Sequence, residues 1–120
     1  MIISVLLIIV AVIHLLPLSG ALSAKRLTAL YGLSFDEPNL EILMRHRAVL
    51  FGLLGVFFIY AAFQVELQPI AFVAGLVSVL SFIWIAWSVG AYNASVRRVV
   101  VADWVALVCL GIAFVLYILE

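Results

Sequence analysis

The sequence predicts an all-α membrane protein. Its expected form is a bundle of four transmembrane helices with N-terminus and C-terminus outside, and a short cytoplasmic helical extension ahead of the second span. Three observations carry that prediction. Of 120 residues, 69% are hydrophobic and only 10% charged, whereas soluble domains run at about 45–50% apolar and about 25% charged. The mean hydropathy is +1.42, and a soluble monomer of that composition would expose apolar patches that such proteins avoid. The apolar residues fall into four stretches, Ile2–Leu22, His46–Gln64, Pro69–Asn93 and Val99–Leu119. Each meets the requirement of about 20 residues to cross about 30 Å of hydrocarbon as a helix. The third observation is that all six lysines and arginines sit in two of the polar breaks: Lys25, Arg26, Arg45 and Arg47 in the first, Arg97 and Arg98 in the third.

Helices are the expected form because no water inside a bilayer satisfies a backbone left open, and the period-two alternation of a barrel is absent. The chain is expected to be one domain over residues 1–120. Positive residues stay cytoplasmic, so the first and third loops are placed inside and both termini outside. Net charge is zero, and no basic surface points to nucleic acid. Asn93-Ala94-Ser95 matches a glycosylation sequon, but on this topology it faces the cytoplasm.

The first span is expected to remain in place. Ser19 and Ala21 suit the small positions before a signal-peptidase cut, but no basic segment precedes the run, which exceeds the usual ~7–15 apolar residues. After Lys25 and Arg26, the stretch Leu27 to Phe35 is mixed, with Gly32 breaking any pattern. Ser34-Phe35-Asp36-Glu37-Pro38 then reads as a helix start, with Asp36 as cap and proline in the first turn. The helix should run from about Glu37 into the second span, pairing Glu41 with Arg45 one turn later.

At about 100° per residue, Arg45 and Gly52 lie about 20° apart and Gly55 about 80° from Arg45. Glycines admit close helix approach, so this face is expected to point into the bundle. Arg47, about 200° round from Arg45, is expected to snorkel toward lipid headgroups. The third span carries a stripe of small residues, Ala71, Ala74, Gly75, Ser78, Ser81 and Ser88, the membrane form of a packing interface. Its serines are expected to bond back to their own helix. Trp84, Trp87 and Tyr92 cluster toward its cytoplasmic half, with Trp84 expected inside.

Ionisable residues within membranes are costly and so are functional candidates. Two qualify, His14 in the first span and Asp103 in the fourth. His14 is expected roughly 10 Å below the cytoplasmic end of its helix and Asp103 roughly 6 Å below the start of its own. Both should share a level with Arg45 and His46. The candidate site is a cytoplasm-facing pocket of His14, Arg45 and Asp103, with His46 and Trp84 as secondary members. An arginine fork pairs with the aspartate or an anionic headgroup; the histidine exchanges protons or bonds a ligand near neutral pH. Pro17 frees the Ile13 carbonyl as a further acceptor. Each residue also has a structural reading: Arg45 paired with Glu41, Asp103 at headgroup level near a helix N-terminus, His14 satisfied by a neighbouring helix.

No cofactor is expected. His14 and His46 lack carboxylate or cysteine partners at ligand spacing, bis-histidine haem would require them at one depth, and no phosphate loop, nucleophile elbow or dinucleotide fingerprint is present. Cys109 is the single cysteine and forms no internal disulfide. The leading expectation is a protein that binds a lipid or small amphipathic molecule. Against it stand an accessory or structural subunit, associating with a membrane partner or its own copy through Ala71, Gly75, Ser78 and Ser81, and an integral membrane enzyme.

The stretch Leu30-Tyr-Gly-Leu-Ser-Phe-Asp-Glu-Pro-Asn-Leu-Glu-Ile-Leu-Met-Arg45-His-Arg-Ala-Val-Leu-Phe-Gly-Leu-Leu-Gly55 follows a span containing His14-Leu-Leu-Pro17. With Pro38, Arg45, Gly52, Gly55 and Asp103 it resembles small bacterial four-helix membrane proteins of unknown function. The resemblance implies a bacterial inner membrane and no established reaction. Some of those proteins carry the label phosphopantetheine adenylyltransferase. Enzymes of that activity are soluble α/β proteins with a His-x-Gly-His motif, which this chain lacks.

Overall fold

All 120 residues are described by the computed structural model, which is entirely helical. Five helices follow one another: α1 (Ile2–Leu15), α2 (Ala24–Tyr31), α3 (Pro38–Ala62), α4 (Gln68–Val89) and α5 (Ala94–Leu119). Four segments, Ile2–Ala21, Pro38–Ala62, Val65–Val89 and Ala94–Leu119, are long and apolar enough to cross a membrane.

Local chemistry sets the boundaries. α1 tightens into a 3-10 turn over Leu16–Ala21, where Pro17 cannot donate to the preceding turn. The third span ends four residues before its expected limit. Gly90 adopts φ 66°, ψ −172° after Val89, a region essentially restricted to glycine. The fourth helix starts earlier than expected, at Ala94, because the Asn93 side chain accepts from the Val96 amide at 2.8 Å. The asparagine of the sequon is thus a helix cap.

The cap of α3 is Glu37 rather than Asp36. Its carboxylate accepts from the amides of Asn39 (3.1 Å) and Leu40 (3.0 Å), while Asp36 accepts from Ser34 (2.6 Å). Those amides hold the Glu37 carboxyl below its ordinary value of 4.5. A depressed folded value means the cap is fully formed above the ordinary one and is lost as pH falls through the folded one. Amide protection at Asn39 and Leu40 is therefore expected to fall on acidification below pH 4.5 in the wild type and to stay flat in Glu37→Gln. Hydrogen exchange followed across that window checks this; equal pH dependence in both proteins would show the cap to be idle.

α2 is the element the sequence did not announce. Ser23 caps it by accepting from the Arg26 amide (3.2 Å), and Gly32 closes it in the left-handed conformation at φ 67°. Leu27 and Tyr31, one turn apart, are buried with Phe35 in a small separate core against Met44, Val96 and Val99. This short helix lies across the end of the bundle that carries all the basic residues.

In the main core α1 packs along both α3 and α5, and α4 leans mainly on α5. The glycines of α3 permit the first contact. A Cβ on Gly55 would fall 2.5 Å from Leu15 Cγ and 3.1 Å from the Ala11 carbonyl oxygen, so α1 and α3 approach as closely as their backbones allow. Leu7, Val10, Ala11, Phe58, Phe72 and Leu110 fill the centre. At the end holding the termini, Ser4 Oγ donates to the Ala62 carbonyl (2.6 Å) and Gln68 Nε2 to that of Ala61 (3.2 Å). The two basic breaks meet at the opposite end, where Asn93 Nδ2 donates to the Tyr31 carbonyl (2.8 Å).

The small-residue stripe of α4 is largely consumed within the chain. Ala71 and Gly75 are buried, Gly75 against Leu110 and Phe58. Ser81 and Ser88 donate to the carbonyls of Ser78 and Trp84, as expected of membrane serines. Trp84 is not inside the bundle: it is 64% exposed, on the outer side of α4.

Candidate functional site

A cavity of about 330 Å³ lies between α1, α2, α3 and α5 at the basic end. Ile13, Leu16 and Pro17 contribute an apolar wall, Phe51, Val99 and Ala102 another; Tyr31, Arg47, Ser95, Arg98, Asp103 and His14 supply the polar groups. That volume and mixture suit a small-molecule site, where a few placed polar groups orient a ligand against apolar walls.

His14 and Asp103 thus line one cavity. Arg45 does not. Its Nε donates to the Ala21 carbonyl (3.0 Å), one terminal nitrogen to that of Leu22 (3.1 Å) and the other to Glu41 (3.0 Å). The face it shares with Gly52 does meet α1, but at the end of the 3-10 turn, where carbonyls lack intrahelical donors. Arg45 serves those carbonyls and Glu41, with each of its three nitrogens engaged. His46 is exposed on α3 and, like Trp84, lies outside the cavity.

The arginine in the cavity is Arg47. Expected at the lipid surface, it is half-buried instead, because α2 covers that side of α3. Its guanidinium donates to the Tyr31 hydroxyl (2.7 Å) and lies 4.4 Å from the Phe51 ring centroid, 5.6 Å from Tyr31 and 5.7 Å from Phe82. Each cation–π contact is worth roughly 0.5–2 kcal/mol, increasing with desolvation. Three rings and one hydroxyl hold the charge in place, with no acid in direct contact. The one ion pair in the molecule is Arg45–Glu41; Arg47 and Asp103 face the same cavity without closing on each other.

His14 takes the structural arrangement, satisfied by a neighbouring helix. A carbonyl only accepts, so Nδ1–H donates to Val10 (3.0 Å). Nε2 then accepts from the Ser78 hydroxyl (2.9 Å). The ring also packs edge-on against Phe58 at 4.9 Å. Both nitrogens are engaged within the protein, and the residue is 3% exposed. His14 ties α1 to α4 and meets the cavity with its ring.

Comparison with known protein families, curated proteins and solved structures gave no match for this chain. The functional reading rests on the chemistry of the cavity. Arg47 and Arg98 bring two positive charges and Asp103 one negative. Arg98 is exposed and donates to Ser95 (3.2 Å), so its charge can follow a ligand, whereas Arg47 is fixed. Asp103 is half-buried with no hydrogen-bond or ion-pair partner, which leaves its oxygens free to accept.

Three of these residues escaped sequence reasoning: Tyr31, Arg47 and Arg98. The signal that finds Tyr31 and Arg47 is the one-turn pair Leu27 and Tyr31, behind the Ser23 cap and ahead of Gly32, with Phe35 just beyond the glycine. A helix there must bury Tyr31, and the nearest apolar surface is the side of α3 that carries Arg47.

Proposed function

We propose that the chain is an integral membrane protein that binds a small amphipathic molecule in the cavity at its basic end. The head of that molecule carries an anionic group, received by Arg47 and Arg98, and a hydrogen-bond donor accepted by Asp103. Its tail lies against Leu16, Pro17, Phe51 and Val99. The observation that carries this reading is the position of Arg47. Drawing a guanidinium away from the headgroups costs solvation, and here an aromatic cage rather than a carboxylate repays it. A cation held so, beside an unpaired acid, is matched to a ligand bearing both an anion and a donor.

The test is a thermal-melt screen of the detergent-solubilised chain against octyl phosphate, octyltrimethylammonium and octyl maltoside. Octyl phosphate alone is expected to raise the melting temperature. Equal effects from all three would reduce the interaction to tail burial and end the proposal.

The location proposed with it is a bacterial inner membrane, with the basic end cytoplasmic and both termini outside. Positive residues concentrated at one end support this orientation. A C-terminal alkaline phosphatase fusion should be active and a C-terminal green fluorescent protein fusion dark; the reverse pair would invert the topology.

The alternative reading, association through α4, concerns Ala71, Gly75, Ser78 and Ser81. Two of these four residues, Ala71 and Gly75, are buried in the chain's own core, and Ser78 bonds His14. Ser81 is exposed, so cross-linking from Ser81 in native membranes tests this reading: an intermolecular product favours assembly, and none favours the lone bundle.

A further inference from the structure

A second concavity lies beyond α5, which gives Val99, Ala102 and Asp103 to the first cavity and Val100 and Trp104 to this one. It is an open groove of about 920 Å³ between α4 and α5, walled by Leu80, Trp84, Trp87, Tyr92, Val100 and Trp104. The one polar side chain besides Tyr92 is Ser81, whose hydroxyl donates to the Ser78 carbonyl at 3.0 Å. The indole N–H groups of Trp84, Trp87 and Trp104 and the Tyr92 hydroxyl sit on largely apolar rings, and the rest of the lining is hydrocarbon, so the groove suits an acyl chain with a polar end. Trp84, Trp87 and Trp104 are 64%, 74% and 52% exposed, an unusual amount of aromatic surface to leave open.

Toward the basic end the groove runs into a shallow depression that shares Ala86, Trp87 and Tyr92 with it and adds Gly90, Ala91 and Arg97. Arg97 is exposed and makes no side-chain hydrogen bond or ion pair. None of the six acidic residues lines either the groove or the depression. A hydrocarbon slot therefore ends in an unpaired positive charge, at the end of the bundle where the other basic residues collect.

We propose that this groove seats one acyl chain of an anionic phospholipid, with the lipid phosphate at Arg97. The dimensions of the problem favour a lipid over a second copy of the chain. A second copy seated groove to groove would bring its own Arg97 and no acid to meet it, whereas an anionic lipid supplies both the hydrocarbon and the charge. Tryptophan and tyrosine rings at this level are suited to the boundary between acyl chains and headgroups. An anionic headgroup near one surface arginine gains roughly a five-fold preference over a zwitterionic one.

The chain contains three tryptophans, and all three line the groove, so intrinsic fluorescence reports on its occupant. The full chain is reconstituted in dioleoylphosphatidylcholine vesicles containing increasing fractions of phosphatidylglycerol or phosphatidylcholine with dibrominated acyl chains. Brominated phosphatidylglycerol is expected to quench with about five-fold the relative binding constant of brominated phosphatidylcholine at low salt. In Arg97→Gln, which breaks no internal contact, that ratio should fall to about one. Arg26→Gln, at the same end but away from the groove, should keep the wild-type ratio. Equal quenching by the two lipids in the wild type overturns the proposal. So does an equal loss in Arg26→Gln, which would mean general surface charge. Tryptophans quenched by neither lipid would mean that a protein, or a second copy, covers the groove, and that result overturns it as well.

Discussion

Replacing Gly55 with valine is expected to destabilise the bundle by about 3 kcal/mol, a large share of the roughly 5–15 kcal/mol that holds a typical domain together. Even the first added carbon would fall 2.5 Å from Leu15 Cγ and 3.1 Å from the backbone oxygen of Ala11. Leu15 is held at its branch point rather than at a free end, and the Ala11 carbonyl cannot move without α1. The helices must separate, and the separation spreads to the Ser4–Ala62 hydrogen bond at one end and Leu18 over Gly52 at the other. Gly111→Ala is the matched control. A Cβ there meets nothing within 4 Å, and the better helix propensity of alanine is worth up to about 1 kcal/mol. Thermal melts in one detergent compare the three proteins. If Gly55→Val melts with the wild type, the close approach of α1 and α3 is not what sets the core.

Arg47→Met is expected to separate binding from stability. Methionine keeps an unbranched chain of similar reach among Phe51, Tyr31 and Phe82, and it removes a charge that was costly to bury. What it loses is one hydrogen bond to Tyr31 and three cation–π contacts. Those terms offset one another, so the ligand-free protein should melt within a few degrees of the wild type. The response to octyl phosphate should vanish. A structural arginine would behave in the opposite way: its loss would lower the melting temperature and leave any response to the amphiphile unchanged.

The four long helices were legible because their signal is composition, summed over about twenty residues each, and no local detail overrides it. Their ends were less so. The third span stops at Gly90 and the fourth starts at the Asn93 cap, and both are single-residue effects inside a run that stays apolar on average. Rotation about α3 was read correctly for Arg45, which does share the glycine face. Its destination was not, because the carbonyls of the 3-10 turn it serves become available only once Pro17 has altered the end of α1. Arg47 was assigned to lipid by the same arithmetic. That arithmetic places a residue relative to its own helix and says nothing of what covers the far side. Here α2 covers it, eight residues long and too short for periodicity to stand out. His14 and Asp103 were found because an ionisable residue in an apolar run is conspicuous. The hydrogen bond that turns His14 into a bridge to Ser78 joins residues 64 apart in sequence, and no local pattern encodes it.

We propose that a caged Arg47 makes this cavity a receptor for an anionic head. Isothermal titration of octyl phosphate into the detergent-solubilised wild type, Arg47→Met and Arg97→Gln tests it most directly. The wild type and Arg97→Gln should share one saturable high-affinity equivalent of similar affinity, any weaker uptake at the Arg97 groove being confined to the wild type. Arg47→Met should bind at least about 30-fold more weakly, the loss that follows from removing one partner of a buried charged contact. Equal affinity in Arg47→Met and the wild type, or no saturable binding in the wild type, would mean that Arg47 receives no anion.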